Sequence, residues 1–303
     1  MVFVNAAKTA FLYSVRYLLP YLPYSVLAML ANAIGMVSKR GQQAKIIEKE
    51  LGALFGDRKS ASDIKDSTFE CICNYRKDLF EIWSFPRMNK DRIEKLVNIE
   101  GIENLDKALA KGKGVLIGLS HFGSWKIIIP ALGYKGYKVN QIGLDPRYFI
   151  DEKRPPHHNT IMEIEHKCEQ SLPANFIYIG KVMRPVFRAL ASNEVIIDSF
   201  DGFRGSKKTE VPFFNSRLSL SQGPIIIALK TGASLIPAFA VRQKDNRHKI
   251  IIHEEIPLHN YENKQQAVER AIESYAKLLE HYVSEYPSHY GRVLYDRFRD
   301  PSR

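Results

Sequence analysis

The hydrophobic pattern is tightest between Val115 and Pro130. An unbroken apolar run, Val115-Leu-Ile-Gly-Leu119, gives way to Ser120-His-Phe-Gly-Ser124 and then to Trp125-Lys-Ile-Ile-Ile-Pro130. A short apolar run closed by turn-forming residues predicts a buried strand. Gly123-Ser124 predicts a turn with an N-cap hydroxyl, and the apolar residues after it predict the first turn of a helix. The same alternation continues on both sides. Val97–Gly101, Lys138–Gly143, Asn175–Ile179, Glu194–Asp198, Ser234–Val241 and Lys249–His253 read as strands. Ile102–Lys111, Ile161–Cys168, Val186–Ser192, Ser219–Lys230 and Gln265–Tyr286 read as helices. Strands alternating with helical segments predict an α/β sheet in one domain, with no repeat and no long linker.

Upstream of this domain the period is helical. From about Gly41 to Asn98, apolar clusters recur at Leu51, Leu54 and Phe55, at Ile64, Phe69 and Ile72, and at Tyr75, Leu79, Phe80 and Trp83. They predict a helical lead-in that Phe85-Pro86 ends. The domain therefore runs over 41–303, with 41–98 mostly helical. Residues 1–40 form a separate segment. No residue is charged between Arg16 and Lys39, a run just long enough for the ~20 residues a helix needs to cross a bilayer. Pro20, Pro23 and Asn32 interrupt it, tyrosines crowd one end, and Lys8, Arg16, Lys39, Arg40 and Lys45 flank it. This pattern predicts a membrane-associated helical hairpin lying on or shallowly in an anionic surface.

Charge adds a constraint. Lys and Arg number 44 against 33 Asp and Glu, a formal net charge of +11. Such a field favours acidic partners. The basic residues are dispersed and compose no nucleic-acid module, so nucleic acid is set aside. Cys71, Cys73 and Cys168 are too few and too irregular for a secreted disulfide scaffold, and Cys71 and Cys73 read as buried thiols in a helix.

Two places carry candidate chemistry. His121 follows a strand, flanked by Ser120 and Ser124, with Gly123 permitting close backbone approach. A neutral imidazole there can take a proton from a hydroxyl, and the neighbouring amides can meet an oxyanion. The second place is Asp201-Gly-Phe-Arg204-Gly-Ser206-Lys-Lys208, directly after a strand. Its arginine, lysines, hydroxyl and amides can hold a phosphate or carboxylate. Arg147 lies in a further polar stretch, Asp145–Asn159. Ser120, Gly123, Ser124, Arg147, Arg204 and Ser206 are therefore candidate substrate-binding residues.

Together these blocks resemble the bacterial lipid A biosynthesis acyltransferases, of the lysophospholipid acyltransferase superfamily. The resemblance is carried by Lys77-Asp-Leu-Phe-Glu81, Ile99–Val115, His121-Phe-Gly-Ser-Trp125, Asp198-Ser-Phe-Asp201-Gly-Phe-Arg204-Gly, Val211-Pro-Phe-Phe214, Gly223-Pro224, Thr231-Gly-Ala233 and Leu235-Ile-Pro-Ala-Phe239. It implies a glycerolipid acyltransferase-like mixed sheet flanked by helices. It also implies an enzyme on the cytoplasmic face of the inner membrane, with no metal or bound cofactor. The enzyme would move an acyl chain from an acyl carrier protein or CoA thioester to a hydroxyl of a lipid or glycolipid, with His121 as general base.

The sequence departs from the family where the resemblance matters most. The family motif places Asp or Glu five positions after the histidine, and this chain has Lys126. A lysine cannot accept the ring N–H that fixes the tautomer of a catalytic histidine, and its charge disfavours imidazolium. Asp198 and Asp201, after the neighbouring strand, are the candidates to serve His121 instead. The alternative is an acyltransferase fold with lost or altered activity that binds a lipid or carrier-bound acyl intermediate. A further alternative is a motif rebuilt for another acyl reaction, with Lys126 as an electrostatic clamp on a carboxylate or phosphate.

Overall fold

The computed structural model describes residues 14–150, 156–180, 183–202, 207–259 and 261–299. After a short helical stretch at 14–18, the described residues form the helices α1 (Tyr24–Ser38), α2 (Gln42–Phe55), α3 (Ala61–Trp83) and α4 (Lys90–Leu96). The sheet-forming region then runs β1 (Val97–Glu100), α5 (Ile102–Leu109), β2 (Val115–Leu119), α6 (Ile128–Gly133), β3 (Val139–Gly143), α7 (Pro156–Glu169), β4 (Ala174–Tyr178), α8 (Arg184–Ala191) and β5 (Val195–Ser199). It continues through β6 (Lys208–Phe213), β7 (Ser216–Ser221), α9 (Gly223–Thr231), β8 (Ser234–Arg242) and β9 (His248–Ile252), and closes with α10 (Lys264–Glu285) and α11 (Gly291–Arg299).

The α/β reading holds: a seven-stranded mixed sheet is ordered β1-β9-β8-β2-β5-β3-β4. Only the β8–β9 pair is antiparallel within it. Strand alternation divides the core between the two faces. Leu116, Ile196, Leu235 and Phe239 point to one face, beneath α9 and α10. Val115, Ile117, Ile197 and Ile236 point to the other, beneath α5 and α6. Both faces of β2 and β8 are buried, which is why these strands are nearly continuous apolar runs.

Two expectations change. Ser219–Lys230 is not one helix. Ser216–Ser221 pairs antiparallel with Lys208–Phe213 as a separate hairpin, and the helix starts at Gly223 with Pro224 in its first turn. Ser216-Arg-Leu-Ser-Leu-Ser221 alternates with period two, so the strand signal was present but short. The apolar run 17–38 also breaks. A 3-10 turn at Leu19–Tyr21, followed by Pro23 at the N-cap, separates the helical residues 17 and 18 from the 15 residues of α1. Among the described residues no helix is long and apolar enough to cross a membrane.

Helix α3 is the long lead-in element. It begins with a capping box, in which the Ser60 hydroxyl accepts the Asp63 N–H and the Asp63 carboxylate accepts the Ser60 N–H. Helix α1 packs along it, drawn close at Gly35, where a Cβ would come within 2.5 Å of Cys73 Sγ. The free thiols Cys71, Cys73 and Cys168 are all buried.

Candidate active site

Strand register brings His121 to an acid. β2 and β5 lie side by side and parallel, with Leu119 opposite Ser199. The Phe200 N–H donates to the Leu119 carbonyl at 2.8 Å, extending the pairing one step past the strand ends. Two residues beyond each strand's last paired position stand His121 and Asp201, outside the carboxyl ends of a mostly parallel sheet. The Asp201 carboxylate grips the histidine twice. Oδ2 accepts the His121 backbone N–H at 2.9 Å, and Oδ1 lies 2.8 Å from the ring Nδ1. An ionised carboxylate only accepts, so Nδ1 carries the proton and Nε2 is left with its lone pair. Burial pushes the Asp201 carboxyl up, but His121, with a smaller contribution from Arg297, outweighs this and holds it below its ordinary range. Trp125 packs edge-on against the imidazole, with ring centres 5.1 Å apart.

Asp198 is not a partner of His121. Its carboxylate accepts the Ser199 N–H at 2.9 Å, and burial raises its pKa to about 7. Lys126 turns away from the histidine. Its ammonium lies 2.5 Å from Glu169 and 3.6 Å from Glu165, both on α7. The two ends of the closer pair respond differently: burial pushes Lys126 down but the two carboxylates together outweigh it and raise it, whereas burial raises Glu169 more than the lysine lowers it.

The three residues around the histidine are held from behind. Ser120 is 1% exposed, and its hydroxyl accepts from Tyr275 of α10 at 2.8 Å, so it faces the core. Ser124 makes no N-cap bond. Its hydroxyl donates to Asp78 at 2.7 Å and accepts from Arg242 at 2.8 Å. Gly123 has φ +57°, and its N–H donates to the His289 carbonyl at 2.9 Å. A Cβ there would come within 2.1 Å of the Ala240 carbonyl oxygen. Gly123→Ala should therefore displace the turn and reduce transfer at least tenfold, with the sheet still folded by circular dichroism; a fully active variant would show that the turn tolerates the shift. The amides of His121, Phe122 and Gly123 donate to Asp201, the Ser120 carbonyl and the His289 carbonyl, so an oxyanion must be met from elsewhere.

A buried polar network around Arg242 escaped the sequence reading. The Arg242 side chain is 2% exposed and donates to Asp78 at 2.6 Å and Glu81 at 2.8 Å, both on α3. Tyr24 of α1 lies 2.6 Å from Glu81, and His248 of β9 lies 2.5 Å from the same carboxylate. The Arg242 backbone N–H donates to His289 Nε2 at 2.9 Å. Burial, Arg242 and His248 lower the His289 pKa to about 3, so the ring is neutral and accepts. One signal was available: a charged residue closing the otherwise apolar strand Ser234–Val241.

His121, Gly123, Ser124, Lys126 and Asp201 line one pocket of about 540 Å³, within the ~300–1,000 Å³ of small-molecule sites. Its wall mixes Ile82, Phe85, Ile129, Ile142 and Phe176 with the charged groups above. Arg147 is engaged by Asp145, at 2.6 Å for its closest contact, and its side chain is 54% exposed. Arg204 and Ser206 lie outside the described residues.

The chain is 24% identical over 184 residues to the phosphatidylinositol mannoside acyltransferase of Mycolicibacterium smegmatis, covering 59% of this chain and 57% of that protein. It is 25% identical over 232 residues to the lipid A biosynthesis palmitoleoyltransferase of Escherichia coli, covering 74% of this chain and 70% of that protein. The crystal structure of the 1-acyl-sn-glycerophosphate acyltransferase PlsC from Thermotoga maritima aligns with 14% identity and a TM-score of 0.37, over 85% of this chain and 96% of that one. Residues 5–299 match the family described as bacterial lipid A biosynthesis acyltransferase, and the chain belongs to that family.

Proposed function

We propose that this protein transfers a fatty acyl group from a thioester, on an acyl carrier protein or CoA, to a hydroxyl of a lipid or glycolipid. One observation carries the reading: His121 is fixed through Nδ1 by Asp201 at 2.8 Å, within a pocket with apolar wall residues. His121 Nε2 removes the proton of the acceptor hydroxyl as its oxygen attacks the thioester carbonyl. The tetrahedral oxyanion collapses, the carbon–sulfur bond breaks, and the departing thiolate takes the proton back from the imidazolium. The products are an ester and a thiol. Asp201 stays ionised throughout and steadies the imidazolium.

The protein is further proposed to work at the cytoplasmic face of the inner membrane. The N-terminal region supports this with an apolar surface: Tyr17, Leu18, Tyr21, Met29, Ile34, Met36 and Val37 are all exposed. Apolar side chains beside basic ones suit an interfacial helix on anionic lipid. The net charge of +11 suits both that surface and an acidic carrier protein.

Purified protein given lauroyl thioester on acyl carrier protein or on CoA, with extracted bacterial lipid, should yield acylated lipid by mass spectrometry. His121→Ala should reduce the yield to background. Undiminished transfer by His121→Ala would sink the mechanism.

A further inference from the structure

We propose that Arg76 and Arg292, both placed against the ring of Tyr75 in the pocket wall, form a subsite for a phosphate ester. Helix α3 supplies Tyr75 and Arg76, and α11 supplies Arg292. The two guanidinium carbons lie 5.1 and 4.5 Å from the same ring centre. The ring attracts each cation, and Arg76, Arg292 and His121 line the same pocket, so an anion entering it meets positive charge from both arginines.

Five of the six carboxylates lining the pocket are committed elsewhere, Asp296 being the exception. Asp78 and Glu81 hold Arg242, Glu165 and Glu169 hold Lys126, and Asp201 holds His121. Among the described residues Arg76 has no ion pair, and its Nε–H is buried with no acceptor. A guanidinium can only donate, so the missing acceptor must come from outside the chain. Arg292 is 49% exposed, and its carboxylate neighbour is Asp296, one turn along the helix at 3.6 Å. That separation is longer than a hydrogen bond and leaves its fork available. Two forks around one ring match the several acceptor oxygens of a phosphate better than a single carboxylate.

This inference rests on the proposed acyl transfer for its substrates. The carrier arm of either thioester donor bears a phosphate, and so do many lipid headgroups. The test separates these sources. Full-length protein is titrated calorimetrically with 4′-phosphopantetheine and pantetheine for the donor side, and with sn-glycerol 3-phosphate and glycerol for the acceptor side. At least one phosphate ester should bind tenfold or more tightly than its neutral counterpart, and which one does so identifies the source. Arg76→Gln and Arg292→Gln should each remove about tenfold of that preference, and Arg292→Lys less. The proposal is overturned if neither ester outbinds its neutral analogue, or if the preference survives in both single variants. Acyl transfer is assayed in parallel. Transfer without phosphate preference removes the subsite alone, whereas phosphate preference without transfer removes the enzymatic reading and leaves the subsite.

Discussion

Asp201→Asn is expected to lower the rate of acyl transfer by about three to four orders of magnitude, the scale seen when the acid behind a catalytic histidine becomes an amide. The geometry explains why an isosteric change is so costly. Asp201 accepts two donors at once, the His121 backbone N–H and ring Nδ1–H. Asparagine has one acceptor oxygen and one NH₂ group, so it cannot serve both. If the oxygen keeps the backbone N–H, the amide NH₂ faces Nδ1 and selects the wrong tautomer, placing the proton on Nε2. If it keeps the ring, the loop loses its tie to the strand end. Asp198→Asn supplies the contrast and should retain rates within a few-fold of the unmodified protein, because Asp198 contacts the Ser199 amide and not the histidine. Single-turnover rates with a lauroyl thioester decide the matter. An Asp201→Asn variant above a tenth of normal activity, or an Asp198→Asn variant equally impaired, would remove Asp201 from its role.

The distinction between these two aspartates marks where the sequence stops being informative. Both follow the Val195–Ile197 run, and both stand in a block shared with the family. Choosing between them requires the register of β2 against β5, which long-range pairing sets and no local pattern records. The strands themselves were legible because nearly all are short apolar runs bounded by glycine or polar turns. The β6–β7 hairpin was not, because a few alternating residues beside a proline compete with a helical reading of the same stretch. The Arg242 network was hidden for a related reason. Tyr24, Asp78, Glu81, Ser124, Arg242 and His248 come from four elements and the turn after β2, and only folding brings them together. Lys126 is the most instructive case. Its charge beside a motif histidine implied a weakened base, yet a lysine has the reach to satisfy itself elsewhere, and here it does so on α7.

Lys126→Glu restores the family's residue type and is expected to harm the protein. The nitrogen that the family's acid would orient is already bonded to Asp201, so a carboxylate at position 126 has no vacancy at His121 to fill. Instead it would stand beside Glu165 and Glu169, whose side chains are only 14% and 9% exposed. Burial already raises the Glu169 pKa with Lys126 present, so losing that cation leaves a buried acid cluster with no counter-charge from position 126. Breaking one partner out of a buried pair costs about 3–5 kcal/mol, and reversing its charge places the cost at the upper end of that range. Urea unfolding should show the loss, and the transfer rate should stay level or fall. Exchanging the charges, with Lys126→Glu and Glu169→Lys together, should recover most of the stability, because the ion pair re-forms with its ends reversed. A tenfold rise in rate on Lys126→Glu alone would refute the arrangement. It would mean that the added carboxylate reaches the histidine and that Asp201 had been doing the work incompletely.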